Sequence, residues 1–223
     1  MKSFPYLKSI KKFLLDILFP AKCTGCRTKN EILCDNCILK IRPAERETER
    51  DIIAVFDYRD PVIKKAIWEL KYYHKRYLGE KMGQLLYESL IEEIADLKTE
   101  VAGRSIYVVP VPISKKKTHA RGYNQALIIA RGFCHFGEPG VLELKNNLVI
   151  KKIETTPQAK ITNRKRRLQN VRGVFETINP DLIRGRTIII IDDVTTTGGT
   201  ISEIIKILKK AGAKKVIGFT VAH

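Results

Sequence analysis

Residues 188–200 read IIIIDDVTTTGGT, and they restrict the fold more than any other stretch of the chain. Four successive isoleucines suit a strand buried on both faces, the kind found in a parallel sheet. Two carboxylates follow, then threonines and glycines. After them Ile201, Ile204, Ile205 and Leu208 fall on one helical face, and Gly212 is placed to end that helix. Strand 187–191, loop 192–200 and helix 201–211 therefore form one strand–loop–helix unit. A similar unit begins at residue 104. RSIYVVPVP is a buried strand and ISKKKTHARGYNQ is a polar, basic loop. From Tyr123 onward Ala126, Leu127, Ala130, Phe133 and Cys134 share a helical face that Gly137 can cap. KVIGFTVAH is a further strand. Such alternation predicts an α/β fold, a parallel sheet flanked by helices. Ligands of these sheets bind at the carboxyl ends of the strands, where Asp192 and the loop after Pro112 both fall.

The loop has its own chemistry. Residues 195–200 lead into a helix amino terminus, whose unpaired N–H groups and dipole attract an anion. Gly198 and Gly199 let the backbone approach a phosphate closely, and the threonine hydroxyls add donors. Asp192 and Asp193 only accept hydrogen bonds, so they suit vicinal hydroxyls rather than phosphate. A sugar phosphate satisfies both halves. The stretch is neither a Walker loop nor a GxGxxG turn.

Upstream, IIAVFDY alternates like a strand, and Asp60–Pro61 reads as an N-cap with a proline in first helical position. Residues 61–97 are mostly helical, with a break expected near Gly79. Trp68, Tyr72, Tyr73 and Tyr77 cluster there, and core packing is the commoner use of such residues, with a stacking surface as the alternative. Residues 42–51 read as a polar linker. Before it stand Cys23-x2-Cys26-x7-Cys34-x2-Cys37. Paired Cys-x2-Cys knuckles can place four thiolates around one tetrahedral zinc ion, with Gly25 in the first turn; two disulfides would need an oxidising compartment. Cys134 is expected in the core. In the first 20 residues Ile10, Phe13, Leu14, Ile17 and Leu18 follow amphipathic helical spacing, while Asp16 interrupts any export signal. That helix docks on protein or lies on a membrane surface. No segment is long and apolar enough to span a bilayer, and a cytoplasmic location is expected.

The net charge is +17, and residues 104–172 hold +12 of it. Charge this concentrated implies a polyanionic partner, either a phosphorylated small molecule or nucleic acid. In the basic segment 155–171, Arg164 and Arg167 are three apart and share a helical face, as an exposed helix would also place them.

IIIIDDVTTTGGT resembles the phosphoribosyl pyrophosphate (PRPP) fingerprint of type I phosphoribosyltransferases. With the cysteine module, VPVPISKKKTHARGYNQA, TTPQAKITNRKRRLQNVRGVF and the ELKYY region, residues 23–223 resemble the ComF family, the competence-protein ComFC group. The RGYNQ phrase departs from the family's usual RGFNQ. The resemblance implies a type I phosphoribosyltransferase fold with a helical hood and a small amino-terminal zinc module. The expected parts are 1–45 for the first helix and zinc module, 46–103 for the hood and 104–223 for the core. It implies that Asp192 and Asp193 hold the ribose, and that Thr195, Thr196, Thr197, Gly198, Gly199 and Thr200 hold the 5′-phosphate. Ser114, Lys115, Lys116 and Arg121 would hold pyrophosphate, and Gln158, Arg164 and Arg167 would lie on a flexible flap. Magnesium would accompany PRPP and zinc would be structural, on Cys23, Cys26, Cys34 and Cys37. The implied reaction displaces pyrophosphate by a nitrogen acceptor that the family does not identify, in the setting of DNA uptake during natural transformation. The alternative is a competence protein that binds single-stranded DNA, alongside DNA-uptake helicase and processing proteins, with PRPP as a regulatory ligand or unused.

Overall fold

The computed structural model describes residues 21–45, 51–153, 171 and 173–223. The expected amphipathic helix at 10–18 and all of the expected flap except Val171 lie outside the described residues. The chain divides into two compact units, Met1–Ile41 and Arg42–His223.

In the first unit an antiparallel bridge joins Lys22 to Lys29, and the Cys23 amide donates to the Thr28 carbonyl at 2.9 Å. The left-handed backbone positions are Arg27 and Asn30, not Gly25. A short helix α1 (Asp35–Ile38) follows. Cys23, Leu33, Cys34 and Ile41 are buried.

The second unit is built on a five-stranded, wholly parallel sheet in the order β1-β7-β6-β2-β3. The strands are β1 (Ile52–Phe56), β2 (Ile106–Pro110), β3 (Leu142–Leu144), β6 (Thr187–Val194) and β7 (Lys215–Ala222). Between β3 and β6 lies an antiparallel pair, β4 (Val149–Lys151) and β5 (Phe175–Thr177). Ile188, Ile189, Ile190 and Ile191 are all completely buried. Their alternation explains why the run contains no polar residue, because each face of the sheet carries a core. On one face Ile188 and Ile190 pack with Tyr107, Val109 and Val216 against Ile201, Ile204 and Leu208 of the helix α8 (Gly199–Lys210). On the other, Phe133 of α6 (Gln125–Phe136) meets Phe219 of β7 with ring centroids 6.1 Å apart.

The region after β1 forms three helices, α2 (Pro61–Tyr72), α3 (Arg76–Ser89) and α4 (Ile91–Glu100). Asp60 caps α2 by accepting from the amides of Val62 and Ile63. The break falls after Tyr72, where His74 takes a φ of 56°, and not at Gly79. Gly79 sits inside α3 because a β-carbon there would stand 2.7 Å from Ile128 Cγ2 of α6. Side chains at Gly83 and Gly132 would collide with the backbone of the facing helix, so these glycines set the close approach of α3 and α6. That approach also buries Ile128 and Ile129, while Leu127, expected on the inner face, is half-buried, as is Cys134.

Other expectations need correction. Gly137 has an extended backbone rather than a left-handed one; a β-carbon there would stand 2.6 Å from Leu142 Cδ1. The basic loop contains a helix, α5 (Lys115–Arg121), capped by Ser114, whose hydroxyl accepts from the Lys117 amide, and closed by Gly122 at φ 72°. The strand expected to end at residue 191 runs on to Val194. The start of the expected linker is paired with β1, the Ala44 amide donating to the Val55 carbonyl at 2.9 Å. The strands β3, β4 and β5 and the short helix α7 (Pro180–Ile183) had no clear sequence signal.

Candidate functional site

Pro110 of β2 is in register with Ile191 of β6, and the Val111 amide donates to the Ile191 carbonyl at 2.9 Å. This pairing brings the chain after β2 beside the end of β6. A cavity of about 950 Å³ opens there, at the carboxyl edge of the sheet. Asp192 and Asp193 both line it.

The two acids have different surroundings. They are adjacent on a strand and so point to opposite faces. Asp193 is buried and accepts from Lys71 Nζ of α2 at 3.0 Å. Burial alone would lower the Lys71 pKa, but the Asp193 carboxylate outweighs it and the pKa rises. Asp192 is half-buried, and its Oδ1 accepts from the Asp193 amide at 2.9 Å. Burial, and then the charge of Asp193, push Asp192 up to about 7. The pair is therefore short of positive charge. Its oxygens suit ligation of a hard divalent cation or acceptance of hydrogen bonds from a sugar diol.

Beyond the acids the chain turns into α8. The Thr195 amide donates to the Ala222 carbonyl at 2.9 Å, and Thr195 Oγ1 accepts from the Gly198 amide at 3.2 Å. Gly198 is left-handed at φ 71° and occupies the N-cap of α8 without a side-chain cap; no acid stands in the first turn. Thr197 Oγ1 is buried and has no hydrogen-bond partner. Thr200 lines the cavity, Gly199 is buried, and Thr196 is exposed.

The α5 side chains separate by helical spacing. Lys117 and Arg121, four apart, line the cavity, while Lys115 and Lys116 are exposed and do not. Burial, and then the charge of Arg121, push the Lys117 pKa down. Ser114 is buried and serves as the cap of α5. Gln158, Arg164 and Arg167 lie outside the described residues. Sequence reasoning assigned Lys71 no role, and it grouped Lys117 with Lys115 and Lys116 as one basic run. The i, i+4 spacing of Lys117 and Arg121 was a usable signal once the segment is seen as helical. Lys71 lies in the ELKYY stretch that carries the resemblance, but nothing local marked its role, because its partner is 122 residues away.

Trp68, Tyr72 and Tyr73 also line the cavity. They are 50%, 57% and 56% exposed, which overturns the core-packing expectation. Tyr123, the residue at which RGYNQ departs from RGFNQ, donates its hydroxyl to the Leu70 carbonyl of α2. A phenylalanine could not make that link between α2 and the start of α6.

In the first unit, ligand atoms of Cys23, Cys26, Cys34 and Cys37 lie within 4.8 Å of one another. The Cys23–Cys34 and Cys26–Cys34 sulfur separations are 3.7 and 3.5 Å. A disulfide needs ~2.05 Å. The edge of a tetrahedron with zinc–sulfur bonds of ~2.3 Å is ~3.8 Å, so the spacing fits one zinc ion. The Cys34 amide points at Cys23 Sγ, as thiolate charge requires.

The phosphoribosyl transferase domain model matches residues 146–223. Competence protein F of Haemophilus influenzae is 25% identical over 97% of this chain and 83% of its own length. The DNA utilization protein YhgH of Escherichia coli K12 is 26% identical over 87% of this chain and 80% of its own. An adenine phosphoribosyltransferase of Mycoplasmopsis agalactiae is 41% identical over 40% of this chain, which spans about half of that protein. Among solved structures, the allosteric regulatory enzyme of purine biosynthesis aligns at a TM-score of 0.38 and 20% identity, over 64% of this chain and 25% of that one. By near full-length similarity this chain is a relative of Competence protein F and YhgH, and its residues 146–223 match the phosphoribosyl transferase domain model.

Proposed function

We propose that the cavity binds PRPP and transfers its phosphoribosyl group to a nitrogen acceptor. The observation that carries this reading is the sequence of groups along one edge. An acid pair that shares one lysine, Lys71, stands directly before an uncapped helix start, with Lys117 and Arg121 lining the same cavity. The ribose hydroxyls donate to Asp192 and Asp193. Thr195 to Thr200 hold the 5′-phosphate, with Thr197 Oγ1 gaining the partner it lacks. Lys117 and Arg121 hold pyrophosphate, with Ser114 fixing their helix; Lys115 and Lys116 add only longer-range charge. The flap roles of Gln158, Arg164 and Arg167 belong to the same proposal.

The acceptor nitrogen's lone pair forms the new bond at the anomeric carbon as the carbon–oxygen bond to pyrophosphate breaks. Pyrophosphate leaves with that electron pair, and the nitrogen's proton passes to water. Magnesium, when bound, supplies charge neutralisation for the pyrophosphate oxygens. This chain's residues orient the sugar and offset charge on the leaving group. The test is pyrophosphate release from PRPP with a panel of nitrogen nucleophiles. Release that needs both magnesium and Asp192 supports transfer, and a thermal shift with PRPP but no release with any nucleophile removes it.

A second reading is supported by the +12 charge of residues 104–172 and the exposed aromatic side chains. It is binding of single-stranded DNA, in keeping with the competence and DNA utilization names of the relatives. The two readings separate at Asp192→Asn, which abolishes transfer and leaves DNA affinity intact. We also propose that Cys23, Cys26, Cys34 and Cys37 hold one structural zinc, because four protein thiolates leave no open position for catalysis.

A further inference from the structure

Arg121 is the last residue of α5, and it lines the cavity from a long, flexible stem. A side chain of that kind loses rotamer freedom when a ligand orders it, unless the fold has ordered it first. Gly122, left-handed at φ 72°, turns the chain between α5 and α6. Gln125, at the start of α6, comes to lie beside Arg121. Its Oε1 accepts from Arg121 Nη1 at 2.9 Å, and its Nε2 donates to the Tyr123 carbonyl at 3.4 Å. The Tyr72 ring stands 5.5 Å from the guanidinium, but a ring face sets no direction within the guanidinium plane. The hydrogen bond to Gln125 does.

Gln125 is only 1% exposed. Burying an amide is costly unless its polar atoms are bonded, so the contact with Arg121 is what suits a glutamine to this position. The acceptor is itself held firmly. Asn124 Nδ2 donates to the Val111 carbonyl at 2.9 Å, and Asn124 Oδ1 accepts from the Ala126 amide at 3.1 Å. The start of α6 is thereby tied to the chain leaving β2. Neutrality matters as much as position. A glutamate would hold the arginine but cancel its charge. The amide takes one N–H of five and leaves the charge for an anion.

We propose that Gln125 is a positioning residue that holds Arg121 ready for a diphosphate without neutralising it. The proposal rests on the PRPP reading, in which Arg121 meets pyrophosphate. It gives the RGYNQ phrase a division of labour: Arg121 for the anion, Gly122 for the turn, Asn124 and Gln125 for the support.

The test is calorimetric titration of the full-length protein with magnesium pyrophosphate, with PRPP and magnesium, and with ribose 5-phosphate as a control that lacks the diphosphate. Gln125→Met keeps the volume and removes the acceptor. It should weaken pyrophosphate about 2- to 13-fold, the cost of ordering one long side chain on binding. Gln125→Glu should weaken it more, about 10- to 100-fold, because the charge is cancelled. Ribose 5-phosphate should change by less than about twofold in both, which shows that the fold is intact. In an Arg121→Ala background, Gln125→Met should have no further effect, whereas a merely structural role would persist there. Equal weakening of pyrophosphate and ribose 5-phosphate, an undiminished Gln125→Met effect without Arg121, or wild-type affinity in Gln125→Glu overturns the proposal. If Arg121→Ala alone weakens pyrophosphate in that case, the PRPP reading stands without it. If wild type binds neither pyrophosphate nor PRPP, the PRPP reading fails and the proposal fails with it.

Discussion

Lys71 and Asp193 form a pair that is mostly hidden from water, with side chains 19% and 12% exposed. Removing one partner leaves an uncompensated charge, and Lys71→Met also removes a positive charge that lowers the Asp192 pKa. We expect Lys71→Met to lower the unfolding free energy by ~3 kcal/mol in urea titrations. Adding Asp193→Asn to it should restore part of that loss. Asp192 gives a pH signature. Its folded pKa of about 7 lies above the unfolded value of ~3.9, so the folded state binds more protons between those limits. Its contribution to stability is therefore greatest at low pH and falls as pH rises from about 4 to about 7. Asp57 behaves oppositely. The Arg59 side chain, donating hydrogen bonds to it, holds its pKa down to about 2, so its contribution is present above about 4 and is lost as pH falls toward 2. In ligand-free protein, the urea midpoint of Asp192→Asn minus that of wild type should climb between pH 4 and 7. A flat difference would mean that Asp192 is ionised throughout.

Among the elements, those whose reason for existing is local were legible. The isoleucine strand, the Asp60–Pro61 helix start and the α8 stripe each follow from their own residues. Elements defined by a neighbour were not. Gly79 read as a break because glycine is a poor helix former, yet it lies inside α3 where Ile128 leaves no room for a side chain. The short strand β3 is held by pairing with β2 and has no pattern of its own. The same division applies to the site. Asp192, Asp193 and the threonine–glycine turn were evident from residue order. The separation of Lys117 from Lys115 and Lys116 needed the helix, and Lys71 needed the fold. Gly83→Ala should destabilise the protein by about 2 kcal/mol, since the overpacking cost exceeds the gain in helix propensity; thermal melts check this. Lys117→Ala should weaken PRPP–magnesium roughly 10- to 100-fold by calorimetry, the worth of a charge-assisted hydrogen bond, whereas Lys115→Ala should leave it within about twofold.

For the whole molecule, charge and division into units matter most. Single-stranded DNA binding should weaken steeply with added salt, as counterion release requires. Filter binding across a salt series checks this, and a flat response would exclude charge as the source. The cysteine unit and the sheet unit each have their own interior. A strong chelator should therefore release about one zinc per chain and expose residues 21–41 to hydrogen exchange, while the amides of β6 and β7 stay protected.

The strand order also carries a time. β1 pairs with no strand but β7 in the described sheet, and about 160 residues separate them. At ~5–20 residues per second, β1 waits ~8–30 s on the ribosome for its partner. During that wait Ile52 and Phe56 face solvent or a chaperone, and the closure that follows spans a long loop, which slows folding. Nascent chains arrested before residue 215 should be cut by protease within β1, and chains extended past β7 and clear of the exit tunnel should not be.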